Sequence, residues 1–366
     1  MPIEVESPEQ MGYGNIRCNL TESSVADLRL SDLGLDLSSL LLSYTDHRGK
    51  PGLRELIAAD GRALSPEDVI VAPGAAAALF IVATSLLEPD DHMVVMHPNY
   101  ATNVETPRAI GCRVDTLDLS FEDGFRFDVE RLASLLRPET KLISLTTPHN
   151  PTGITLTDRD LRAVAELARS RGCRLLIDET YREMAFSGPA PLGAELGDHC
   201  IGVASLSKSY GLPGIRIGWI AARDKDLQET FLAAKEQMFI CKSVVDEEIA
   251  FRVLSRKGEI LPPILEKNRK ALATLRSWIG GQADLEWVEP SGGVVCFPRF
   301  RRGTAVDVEE FYRILNGKYG TYVGPGHWFG MDRRFMRIGF GWPAADELAG
   351  GLANISSAVE EAKVPA

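Results

Sequence analysis

The sequence predicts an α/β protein: a mostly parallel sheet covered by helices, with a smaller α+β domain beside it. Three observations carry this expectation. From about residue 65 to 221, short apolar runs alternate with amphipathic helical segments. Those runs are near-continuous, as strands buried on both faces require. After residue 225 the texture changes to long helical stretches, short strands and a closing helix.

The first forty residues hold no long periodic segment and are expected to drape over a neighbouring domain or subunit. "DVIVA" then reads as a strand, followed by the helix "GAAAALFIVATSLL" and the isolated run "HMVVM". "KLISLTT" reads as the next strand, preceding the helix "DRDLRAVAELARSRG". The strands "CRLLI", "CIGVAS" and "RIGWIAA" follow. In the last part, "LEWVE", "GVVCF" and "RFMRIGF" read as short strands and "AADELAGGLANISSAVEEA" as the final helix. We place the large domain at 45–260 and form the small domain from 261–366 together with the arm 1–44.

The 366 residues are 45% apolar and 25% charged, the balance of a globular chain. A formal charge of −11 argues against a nucleic-acid footprint, which needs a basic patch. The start, "MPIEVESPEQ", is acidic and lacks the basic-then-apolar pattern of a signal peptide. The longest apolar segment is too short and too interrupted to span a bilayer. Six scattered cysteines read as reduced residues of a cytoplasmic protein. Six histidines show no metal-binding spacing, so no metal is expected. Neither G-x-G-x-x-G nor G-x-x-x-x-G-K-[ST] occurs, which leaves nucleotide binding without support.

Polar groups gather at the predicted strand ends. "CRLLI" runs into Asp178 and Tyr181, "KLISLTT" into Asn150, and "CIGVAS" into Ser205, Ser207 and Lys208. "DVIVAP" runs into Gly74, Ala75 and Ala76 at a helix start. In a parallel sheet these ends open onto one crevice, where ligands sit. A helix N-terminus at Gly74, with Ser205 and the fork of Arg216, suits a phosphate. A partly desolvated lysine beside cations becomes a nucleophile for carbonyls. A buried aspartate holds a pyridine nitrogen protonated, making the ring an electron sink. Together these point to pyridoxal 5'-phosphate chemistry.

The chain resembles the fold-type I pyridoxal-phosphate enzymes of the class I/II aminotransferase family over nearly its whole length. "SLSKSYGLPGIRIGW" resembles the family's lysine motif, which implies that Lys208 forms the Schiff base and that Ser205, Ser207 and Arg216 hold the phosphate. "DETY" implies Asp178 on the ring nitrogen and Tyr181 on the phenolic oxygen, beside Asn150 of "NPTG". "HPNY" implies that Tyr100 stacks on the ring. "YTDHRGKPGLREL" implies that Tyr44 reaches the cofactor of a second subunit, hence a homodimer with shared sites. "FMRIGF" implies that Arg337 grips the substrate α-carboxylate.

Two departures from the family pattern bear on the reaction. "PGAAAAL" has Ala76 where the family usually has a hydroxyl or amide side chain, leaving only a backbone contact. "NLTESSV" replaces the family's glycine-rich substrate loop, so Glu22 and Ser23 become candidates for substrate contact, Glu22 for a cationic group. The loop "GPGHWFG" brings His327 and Trp328 to a segment that closes on the site in the family, with their direction left open. The resemblance implies amino-group exchange between an L-amino acid and a 2-oxo acid. "SGGVVCFPRF" and the lysine motif are also similar to the capreomycidine-synthase branch, whose members eliminate and cyclise a hydroxylated arginine. A lyase or cyclase on a hydroxylated or basic amino acid is therefore the alternative.

Overall fold

The structure is a computed structural model and describes residues 8–364. The acidic opening residues 1–7 lie outside the described part. In chain order the strands are β1 (Cys18–Leu20), β2 (Val69–Ala72), β3 (His92–His97), β4 (Arg113–Asp118), β5 (Thr140–Thr146), β6 (Arg174–Asp178), β7 (Cys200–Ser205), β8 (Gly218–Ala222), β9 (Leu285–Glu286), β10 (Val295–Cys296), β11 (Arg299–Phe300), β12 (Thr321–Pro325) and β13 (Met336–Gly339).

Seven of them form one sheet in the order β2-β8-β7-β6-β5-β3-β4. Every neighbouring pair is parallel except the two that involve β8. Burial on both faces reaches from the middle of the sheet to its β2 edge: all four residues of β2 and all six of β7 are buried. Helices Gly74–Leu86 and Asp158–Arg171 pack on opposite faces, each with its own apolar cluster. The second of these is closed by its own sequence. Thr157 and Asp160 bond each other's backbone at its start, and Gly172 takes the left-handed conformation at its end.

The smaller sheet has the order β1-β12-β13-β10. It packs against helices Lys257–Gly280, Val308–Gly317 and Ala345–Glu361 around Leu275, Phe311, Met336, Ile338 and Ile355. The N-terminal arm does more than drape: β1 pairs in parallel with β12, Leu20 opposite Val323. Leu20 is wholly buried in that small-sheet core.

Strand "LEWVE" is shorter than the sequence suggests and stops at Glu286. Pro290, which has no N–H to continue a ladder, follows four residues later. Among the described residues all six cysteines are free, and no helix is long and apolar enough to cross a membrane.

Candidate active site

The carboxyl edge of the large sheet assembles the site. β5 delivers Asn150 through the turn that follows it, β6 ends on Asp178, and β7 ends on Ser205 just before Lys208. β8 runs the other way, so its amino end lies at this same edge and brings Arg216 with it. Arg216 has φ 49°, an uncommon conformation for a side-chain-bearing residue, and bonds Pro213 O at 2.8 Å and Ser207 Oγ at 3.3 Å.

A cavity of about 320 Å³ opens there. Lys208, Asp178, Tyr181, Asn150, Tyr100, Ser205, Ser207, Arg216, Ala75, Ala76, Arg337, Ser23 and Glu22 all line it. Gly74 lies just behind Ala75, and a Cβ on it would stand 2.5 Å from Arg216 Nη2. Tyr44 is elsewhere: it is 81% exposed, on a stretch without regular structure. His327 is exposed and meets Arg333 at 3.3 Å, whereas Trp328 lines the cavity.

Asp178 is buried, and burial pushes its carboxyl above the usual range. Hydrogen bonds from the Thr180 hydroxyl (2.6 Å) and amide (3.0 Å), one from Asn103, and the nearby Lys208 charge pull against that. Burial likewise raises the phenol of Tyr181, which donates to Ser23 O at 2.7 Å. Lys208 Nζ donates to Ser23 Oγ at 3.1 Å. Arg337 reaches Asn150 Oδ1 at 3.1 Å and Thr21 O at 2.6 Å, with its guanidinium 5.0 Å from the centre of the Phe329 ring.

Sequence reasoning passed over Asn103, Asn99, Thr21, Thr146 and Phe329. Asn99 Oδ1 accepts from Asn103 Nδ2 at 3.1 Å and Thr146 Oγ1 at 3.3 Å, tying β5 to the helix that starts after Tyr100. Asn103 lies one helical turn beyond Tyr100, and that spacing was the available signal.

The residues fit a phosphorylated pyridine aldehyde on the structure's own terms. Gly74, at φ 82°, lets the Arg216 guanidinium lie against it only because it has no Cβ, and it opens a 13-residue helix whose next residues, Ala75 and Ala76, line the cavity. A buried carboxylate with no ion pair among the described residues suits a ring N–H cation.

Fold and site together define a fold-type I pyridoxal-phosphate enzyme. Residues 21–348 match the family "Aminotransferase class I and II", and the chain belongs to that family. It is 31% identical to an arginine–pyruvate transaminase of Pseudomonas aeruginosa over 78% of this chain and 75% of that one. It is 30% identical to capreomycidine synthase of Streptomyces vinaceus over 94% of this chain and 90% of that one. A PLP-dependent aminotransferase structure from Streptococcus suis superposes with a TM-score of 0.91 at 29% identity, covering 99% and 98% of the two chains.

Proposed function

We propose that this protein moves the amino group of an L-amino acid to a 2-oxo acid, with pyridoxal 5'-phosphate as carrier. One observation supports this above the others: Lys208, the buried Asp178 and the Gly74–Arg216 cradle face a single cavity. When bound, the cofactor supplies an aldehyde for the amine and a ring that delocalises the electrons left at Cα.

The protein's own residues do the rest. Arg216, Ser205, Ser207 and the amides of Ala75 and Ala76 would hold the phosphate. Asp178, whose anionic form Thr180 and Asn103 favour against the effect of burial, would hold a proton on the ring nitrogen. Tyr181 and Asn150 would take the phenolic oxygen, and Tyr100 would cover the ring face. Arg337 binds the substrate α-carboxylate with its planar fork. Lys208 Nζ is the amine that would hold the aldehyde; once displaced by substrate, it would take the Cα proton and deliver it to the carbon on the far side of the amino nitrogen.

The likeness to capreomycidine synthase spans nearly the whole chain and favours a second reading, Cβ elimination followed by addition. Both readings share the Lys208 proton transfer and differ in what leaves. We propose a cytoplasmic homodimer; the free cysteines and the exposed Leu41, Leu42 and Tyr44 of the arm support this reading.

The test is borohydride reduction of the yellow holoenzyme and peptide mapping, followed by incubation with single amino acids and no oxo acid. Label on Lys208 and one equivalent of 2-oxo acid support transamination. Continuing turnover with ammonia or a cyclised product supports the second reading. Label absent from Lys208, or a Lys208→Ala enzyme with near-normal turnover, overturns both.

A further inference from the structure

Five charged side chains line the cavity among the described residues: Lys208, Asp178, Arg216, Arg337 and Glu22. On the reading above, the first three serve the cofactor and Arg337 the α-carboxylate. One charge is left over, and it is negative.

Glu22 is also held in place. Its neighbour Thr21 offers its carbonyl to Arg337 at 2.6 Å, and Ser23 offers its carbonyl to Tyr181 at 2.7 Å and its hydroxyl to Lys208 at 3.1 Å. The backbone of Glu22 is clamped from behind as well: a Cβ on Gly339 would lie 1.8 Å from Glu22 O. Glu22 thus lines the cavity from a fixed point of the chain, between the neighbours that hold the α-carboxylate anchor and the reacting amine. Its Oε1 accepts from the Tyr13 hydroxyl at 2.9 Å, a neutral donor that leaves the charge uncompensated. No cation among the described residues pairs with Glu22. Trp328 lines the same cavity and presents an indole, the aromatic surface that best attracts a cation.

We infer that the substrate is an amino acid with a cationic side chain, a guanidinium or ammonium, and that Glu22 receives it. An acidic side chain would meet like charge at this wall. A neutral one would cover the carboxylate without pairing it, which costs binding. The inference rests on the amino-acid reading of the site, so its test must separate the two.

The experiment compares kcat/KM of the cofactor-loaded enzyme for L-arginine, L-lysine, L-glutamate and L-citrulline, the neutral isostere of arginine. Wild type is expected to favour arginine over citrulline by roughly tenfold or more. E22Q is expected to reduce that ratio by about tenfold, chiefly through KM, while E22D keeps part of it. The same ratio in wild type and E22Q, or a wild-type preference for citrulline or glutamate, overturns the inference and leaves the amino-acid reading standing. A loaded enzyme that converts no amino acid of a wide panel overturns both. E22Q is isosteric, and retained cofactor absorbance shows that it has folded.

Discussion

The guanidinium of Arg216 lies directly against Gly74: a Cβ there would stand 2.5 Å from Nη2 and 3.1 Å from Cζ. The glycine also sits at φ 82°, where any side chain is strained by about 1 kcal/mol or more. Gly74→Ala therefore displaces the arginine and distorts the helix start together. The affinity for pyridoxal phosphate, titrated by fluorescence, is expected to fall by about tenfold or more. An unchanged affinity would remove the phosphate from this corner of the cavity.

Arg337 is expected to act on substrate rather than cofactor. It spans Asn150 Oδ1 and Thr21 O, a geometry that a lysine's single nitrogen cannot reproduce. Arg337→Lys should raise KM for the amino acid by about tenfold or more, with a smaller change in kcat and cofactor absorbance retained. A fall in kcat at constant KM would assign the residue to the chemical step instead.

Asn103 acts through Asp178. Its hydrogen bond stabilises the carboxylate, so its loss leaves burial less opposed and raises the carboxyl's proton affinity further. Asn103→Ala is expected to move the acid limb of the kcat/KM profile to higher pH, because Asp178 must be anionic to keep the ring nitrogen protonated. A purely structural role would lower the rate without moving that limb.

These groups differ in how far the sequence exposes them. β2 and β7 are buried on both faces and read as unbroken apolar runs. β4, "RVDTLD", lies at the edge opposite β2 with only Leu117 buried, so its charged residues hide it from the same criterion. β1 is three residues long and takes its register from β12, about 300 positions away; no local pattern could specify it. In the site, side chains at strand ends were legible because their chemistry belongs to the residue type. Thr21 was not, because it contributes a backbone carbonyl, which every residue has. Asn103 was not, because its link to Asp178 exists only once β3 and β6 share a sheet.

Tyr44 tests the assembly. It is exposed together with Leu41 and Leu42 on one stretch of the arm, an apolar strip that a second copy of the chain would cover. Light scattering is expected to give a dimer. Tyr44→Phe should weaken pyridoxal-phosphate binding several-fold without changing the mass, since only the hydroxyl is lost. A monomer that binds cofactor and turns over normally would show each site to be complete within one chain.

Glu179 gives the chain a pH-dependent stability separate from catalysis. It follows Asp178, its carboxylate accepts the Gly193 amide, and it is buried against Gly202. Burial is the main cause of a pKa pushed up to about 8 from 4.5, opposed by the Arg182 charge and the Gly193 hydrogen bond. The folded protein thus binds this proton more tightly than the unfolded chain. The stabilisation is fully present below the unfolded value and is lost as pH rises through the folded one. Glutamine keeps the acceptor oxygen and has no proton to lose. The melting temperature of Glu179→Gln relative to wild type is therefore expected to climb steadily from pH 5 to pH 8. The limiting slope is about 1.4 kcal/mol per pH unit, that of one proton. A difference that stays level across this range would mean that Glu179 ionises in the folded protein at its ordinary value, with water or a cation reaching it beneath the sheet.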